Sequence, residues 1–304
     1  MSDYIIQTQG LTKQYGARKA VNEVTLNIRR GDIYGFLGPN GAGKTTTIRM
    51  LLGLIRPSRG RIHIFGKELH KHRMSILKKV GSLVEYPSYY GHLTGYENLE
   101  AIRRILDVPK SRIDEVLSIV RLTQDAKRPV KGYSLGMKQR LGIACALLGQ
   151  PELLILDEPT NGLDPSGILE IRELIISMPQ QHGITVLVSS HLLSEVEQMA
   201  NRVGIIQHGE MVFQDTINSL RNRAQHRIQI AVSNPEQAFR TLAASGCSAE
   251  FNEESLVLDY MPDNKVAAIV ELLVRNSHSV YRVEEKRQSL EEMFLALTGE
   301  GSRQ

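Results

Sequence analysis

The 304 residues, 41% hydrophobic and 23% charged, have the composition of an ordinary soluble globular protein, long enough for one large domain and a smaller one. The longest apolar runs, such as Leu141 to Leu148, fall short of the ~18 residues of a membrane span, and Met1-Ser2-Asp3-Tyr4 lacks the basic-then-apolar start of a signal sequence, so a cytoplasmic location is expected. Two cysteines, Cys145 and Cys247, form no metal-ligand pattern, and the net charge of +4 suits nucleic acid, an anionic membrane face or a solvated surface without selecting among them.

Strand-like alternation begins with Tyr4 to Gln7 and returns with Val21 to Ile28, the two being separated by the polar turn Lys13 to Arg18. Tyr15 stands in that turn. An exposed aromatic there is a candidate platform for a purine ring and, taken by itself, ordinary surface packing. Asp32 to Leu37 then reads as a strand and Thr45 to Leu54 as a helix, with Gly38-Pro39-Asn40-Gly41-Ala42-Gly43-Lys44-Thr45-Thr46 between them. That stretch fits G-x-x-x-x-G-K-[ST], whose glycines let backbone N–H groups close around phosphates. The helix N-terminus adds partial positive charge, Lys44 reaches the terminal phosphates, and Thr45 offers its hydroxyl to Mg²⁺. The ligand expected is a nucleoside triphosphate. Pro57 to Gly60 next turns the chain into a short hairpin around Arg61 to Lys67.

Between about Met74 and Gly149 the strand signal fades, and helical periods cover Tyr96 to Leu106, Ser111 to Val120 and Gly136 to Leu148, which predicts a helical insert. Leu153 to Glu158 is an apolar strand ending in two acids, followed by a helix from Ser166 to Met178 and a buried-type strand from Ile184 to Val188. This alternation predicts a parallel α/β sheet, whose ligands gather beyond the carboxyl ends of the strands. Asp157 is there placed to bind Mg²⁺, directly or through water, and Glu158 to orient or deprotonate an attacking water. After Leu220 the pattern is βαββαβ plus a helix: strand Arg227 to Val232, helix Pro235 to Ala244, hairpin Ser248 to Asn252 and Ser255 to Tyr260, helix Asn264 to Asn276, strand Ser279 to Glu285, helix Ser289 to Leu297. A small ferredoxin-like α+β domain is expected, joined through the linker Arg221-Asn222-Arg223.

Three further stretches carry a resemblance to a family. Tyr133-Ser134-Leu135-Gly136-Met137-Lys138-Gln139-Arg140 resembles the signature motif of ATP-binding cassette (ABC) ATPases, Asn161-Gly162-Leu163-Asp164 is similar to that family's D-loop, and Ser190-His191 to its switch histidine. The landmarks run in family order over roughly residues 4 to 215. Taken alone, Ser134 is a helix N-cap and His191 a hydrogen-bonded loop histidine. The resemblance implies a P-loop core with a helical subdomain over residues 1–220, the subdomain at about 86–150, which leaves 225–304 as the accessory α+β domain read from the pattern above. It also implies ATP and Mg²⁺ as cofactors, with Tyr15 stacked on adenine, Glu158 acting on water and His191 at the γ-phosphate. Two copies, expected as a homodimer, would face head to tail, with Ser134, Gly136 and Asp164 of one copy completing the ATP site of the other.

The chain departs from the family pattern at two places: Leu135 and Met137 stand where the signature has a glycine and a glutamine, and Glu85 stands at the Q-loop glutamine. Glu85 keeps an oxygen for Mg²⁺ or water but loses an amide donor. With Pro87-Ser88-Tyr89-Tyr90, Leu93 to Leu99 and the tail Ser289 to Phe294, it resembles the bacterial subgroup that expels bacitracin and lantibiotics. The resemblance therefore implies the ATPase subunit of an exporter, peripheral on the inner face of the membrane and bound to separate transmembrane subunits, with no nucleic acid partner. An exporter of lipid-like or drug cargo and a soluble non-transport ABC ATPase are the alternatives. A GTPase is disfavoured because no Asn-Lys-x-Asp guanine reader occurs.

Overall fold

In the computed structural model, residues 3–84, 88–222, 226–287 and 290–297 are described. The chain divides into two compact units, Met1–Asn218 and Ser219–Gln304. The first opens with β1 (Tyr4–Tyr15), which pairs antiparallel with β2 (Arg18–Val24) and β3 (Asn27–Arg29). This corrects the expected break at Lys13 to Arg18. Lys13, Gln14 and Tyr15 continue the strand through register shifts, and only Gly16 and Ala17 form the turn. The single strand expected over Val21 to Ile28 is likewise two strands, parted at Thr25 and Leu26.

β4 (Ile33–Leu37) is buried along its whole length and runs into α1 (Lys44–Leu51). β5 (Arg59–Ile64) and β6 (Lys67–Glu68) are the expected hairpin, and they extend the antiparallel sheet in the order β2-β1-β5-β6, with β3 on β1. α2 (Leu69–Leu77) leads into β7 (Val80–Leu83). β7 is a second correction, because this stretch lies where the strand signal faded, yet Val80 to Leu83 pair parallel with the acidic strand. The helical insert follows as α3 (Gly95–Leu106), α4 (Ser111–Ile119) and α5 (Leu135–Leu147). α3 starts on a reciprocal capping box: Thr94 Oγ1 accepts the Glu97 N–H and the Thr94 N–H donates to the Glu97 carboxylate.

β8 (Leu153–Asp157), α6 (Pro165–His182), β9 (Thr185–Ser190), α7 (Leu193–Glu197), β10 (Arg202–Gln207) and β11 (Glu210–Thr216) complete the second sheet, of order β11-β10-β4-β9-β8-β7. β10, β4, β9, β8 and β7 are parallel and β11 antiparallel. Parallel strands covered on both faces are uniformly apolar, and in β4, β8 and β9 every residue is buried. One core joins Ile6, Leu11 and Ile64 of the antiparallel sheet, Ile48 and Leu51 of α1, and Ile155 and Leu187 of the parallel sheet, so α1 lies between the two sheets. Among the described residues no helix is long and apolar enough to cross a membrane.

α8 (Ile217–Asn222) takes in Arg221 and Asn222, so these are helical rather than linker, and Arg223 lies outside the described residues. The second unit consists of β12 (His226–Val232), α9 (Pro235–Ala244), β13 (Glu250–Phe251), β14 (Ser255–Asp259), α10 (Asp263–Arg275), β15 (Val280–Arg287) and α11 (Leu290–Leu297). Its antiparallel sheet runs β13-β14-β12-β15, the ferredoxin-like order, with Ile230 and Leu256 packed against Leu242 of α9 and Leu273 of α10.

Candidate active site

The parallel register brings three strand ends together: Leu37 lies beside Ser190, and Asp157 beside Ser189. The segments leaving these ends start from the carboxyl edge of the sheet, which is where open α/β sheets bind ligands. From β4 the chain enters the loop 38–43. Gly43, at φ 113, turns it into α1 in a conformation closed to side chains, and no side chain caps that helix. The first-turn N–H groups of α1 are thus available to an anion.

Lys44 is buried, with its side chain 6% exposed. Its ammonium donates to the carbonyl oxygens of Gly38 at 2.6 Å and Pro39 at 3.3 Å, and it lies 3.1 Å from Glu158 Oε1. The other Glu158 oxygen meets His191 Nδ1 at 2.8 Å. The three residues named from the sequence as catalytic are therefore one connected group. Glu158 follows β8 at φ 49, an uncommon conformation for a residue with a side chain, and its N–H donates to Ser189 Oγ at 3.0 Å. Ser189 Oγ in turn donates to Oδ1 of the buried Asp157 carboxylate at 2.5 Å.

Tyr15, Asn40, Gly41, Gly43, Lys44, Thr45, Thr46 and Glu158 line a single depression, together with Arg18 and Ala20. Tyr15 is 52% exposed, and Lys13 Nζ sits 5.0 Å from its ring centroid. Ser134, Gly136 and Asp164 are not among the residues lining it. Ser134 caps α5 by accepting the Met137 N–H at 3.2 Å, and Asp164 caps α6 by accepting the Gly167 N–H at 3.1 Å. Both are also exposed. Glu85 lies outside the described residues, as do Tyr86 and Pro87. Tyr89 is described: burial pushes its phenol well above the ordinary tyrosine range, and its hydroxyl donates to the Lys138 carbonyl of α5 at 2.7 Å.

Ser189, Arg18 and Ala20 went unnoticed in the sequence. The polar pair Ser189-Ser190 closing an otherwise apolar strand was the available signal for the first; nothing local marks the other two.

A glycine-built cradle that presents a buried ammonium to a carboxylate at a strand end is the working arrangement of a P-loop nucleoside triphosphatase. Residues 21–161 match the family described as ABC transporter. The chain is 45% identical to the bacitracin transport ATP-binding protein BcrA of Bacillus licheniformis, over 98% of each chain. It is 44% identical to the lantibiotic transport ATP-binding protein SrtF of Streptococcus pyogenes, over 72% of this chain and 93% of the relative. The structure of cbiO1 from Clostridium perfringens, part of the ABC transporter complex cbiONQ, superposes with a TM-score of 0.66 at 28% identity, covering 73% of this chain and 92% of that one. This chain belongs to the ATP-binding proteins of ABC transporters and is an ATPase.

Proposed function

We propose that the chain is the ATP-hydrolysing subunit of a bacterial exporter, working as a pair of cassettes on separate transmembrane subunits at the inner face of the membrane, and that its cargo is a peptide antibiotic of bacitracin or lantibiotic type. The observation that carries the cargo is the 45% identity to a bacitracin transport ATP-binding protein along the full chain, accessory unit included. Such peptides are amphipathic and partition into bilayers, so a membrane pump can remove them while this subunit supplies the ATP-driven step without touching them.

In this reading Tyr15 stacks on adenine, and the loop 38–46 with the start of α1 holds the phosphates. Lys44 is already 3.1 Å from Glu158 Oε1. A terminal phosphate arriving there competes with Glu158 for the ammonium, which frees the carboxylate to take a proton from water. His191, hydrogen-bonded to that carboxylate, orients it and reaches the γ-phosphate. Mg²⁺ fits the donor set of the Thr45 hydroxyl and the Asp157 carboxylate. When bound it neutralises phosphate charge. Ser134, Gly136 and Asp164 complete the site of the opposite copy, and Glu85 reports its occupancy to the membrane subunits.

The test is genetic. A strain lacking the subunit, with its partner subunits expressed, becomes more sensitive to bacitracin or lantibiotics and keeps its resistance to unrelated hydrophilic drugs. Complementation with wild type restores protection, and Lys44→Ala does not. Unchanged sensitivity across a peptide panel overturns the cargo; sensitivity gained only toward lipid-like drugs replaces it with that class.

A further inference from the structure

We infer that Glu195 is a positioning residue for hydrolysis, a buried carboxylate that sets the Glu158–His191 geometry through the hydroxyls of Thr160 and Ser190. This rests on the roles given above to Glu158 and His191. Glu195 lies in α7 with 8% of its surface exposed, and among the described residues it has no ion-pair partner. A buried carboxylate is unfavourable unless its oxygens are hydrogen-bonded. Its Oε2 accepts from Thr160 Oγ1 at 2.6 Å and from Ser190 Oγ at 3.2 Å, and Ser190 Oγ accepts the Leu192 N–H at 3.0 Å. Thr160 and Ser190 are themselves 4% and 1% exposed.

The chain positions give this clamp its meaning. Thr160 comes two residues after Glu158, and Ser190 immediately before His191. One carboxylate oxygen therefore binds the two segments whose ends meet in the 2.8 Å contact between Glu158 and His191. Glu158 also needs holding, because its φ of 49 persists only where the surroundings over-determine it. Ser189 fixes its N–H on one side, and the Thr160–Glu195 bond fixes the chain on the other. None of these groups lines the nucleotide depression apart from Glu158, so the clamp acts on the catalytic geometry and leaves nucleotide affinity to the loop.

The experiment is a variant series on the full chain, measured for kcat, for KM and for equilibrium binding of a fluorescent ATP analogue. Glu195→Ala is expected to lower kcat about tenfold or more, since small misplacements of reacting groups cost that much, with analogue binding and KM within twofold of wild type. Glu195→Gln keeps an amide oxygen able to accept both hydroxyls and is expected to retain most of the rate. Thr160→Val lowers kcat in the wild-type background and adds little in the Glu195→Ala background. If Glu195→Ala does not fold, Thr160→Val and Ser190→Ala, each deleting one hydroxyl, carry the same test. A kcat within twofold of wild type, parallel losses of rate and affinity, or a Gln variant as slow as Ala overturns the inference. Glu158→Gln and His191→Ala run alongside: wild-type rates in these would mean that the underlying site reading has failed, whereas their loss with an active Glu195→Ala removes the clamp alone.

Discussion

The buried Lys44 and the half-buried Glu158 hold one another in contact, and most of the chemistry proposed for this site follows from how that contact can be exchanged. Glu158→Gln removes the proposed proton acceptor but leaves the side-chain volume and one oxygen, and Lys44 keeps its two carbonyl acceptors on Gly38 and Pro39. ATP binding should therefore survive, while turnover falls by about 10²-fold or more, the range of a lost general base. Single-turnover hydrolysis beside analogue binding measures this, and near-normal turnover would remove the assigned role. Lys44, Asp157 and Glu158 were legible because each belongs to a local pattern, a loop motif or an apolar strand ending in acids. Ser189 was not, because what it does is set by its neighbour across the sheet: Asp157 lies beside it only through the β8–β9 register, which no local window contains.

The same contrast holds for whole elements. α9 was legible to the residue because Pro235 and Ala244 bound a clear amphipathic run, and Asn234 caps it by accepting the Gln237 N–H at 3.1 Å. β7 was hidden, since four residues containing a glycine look like a loop. Gly81 serves close packing there, not chain reversal. A Cβ on it would lie 2.3 Å from the Ala146 carbonyl oxygen and 3.1 Å from Pro151 Cγ, so α5 can approach β7 only over a bare backbone. The contact is backbone on one side and cannot swing away. Gly81→Ala should accordingly destabilise the first unit by about 1–3 kcal/mol, the usual cost of overpacking, seen as a lower denaturation midpoint. Because α5 begins at the signature serine, hydrolysis should also fall in the fraction that stays folded. An unchanged midpoint would show that the helix has slack at this contact.

At the scale of the whole molecule, the sequence pattern changes near residue 220 and the chain divides between Asn218 and Ser219, whereas the helix Ile217 to Asn222 is too short to show a period. The proposed pair bears most directly on Gly136. It is the second residue of α5, where alanine is the better helix former by up to about 1 kcal/mol. Beyond its chain neighbours and the surrounding turns of its own helix backbone, a Cβ there would come no nearer than 4.0 Å to a heavy atom, the nearest being Gly167 Cα and Leu163 Cδ2. The phosphate loop is different: a Cβ on Gly38 would meet the Ile206 carbonyl oxygen at 2.3 Å, and one on Gly43 the Ala20 carbonyl oxygen at 2.6 Å. Close approaches at Gly38 and Gly43 and a φ of 79 at Gly41 thus account for the loop glycines within the chain, whereas Gly136 has neither, and we assign the reason for it to the nucleotide held by the opposite copy in the proposed pair. Gly136→Ala should leave the melting temperature unchanged or raise it, and binding of a fluorescent ATP analogue to the single chain should be unaltered. In the Glu158→Gln background, Mg-ATP should then drive less of the protein into a dimer on sizing, and in the wild-type background turnover should drop about tenfold, as expected when a close backbone approach is obstructed. A variant that hydrolyses ATP at the wild-type rate, or one that loses activity only because it melts earlier, would place the reason for Gly136 inside the chain and remove this support for the head-to-tail pair.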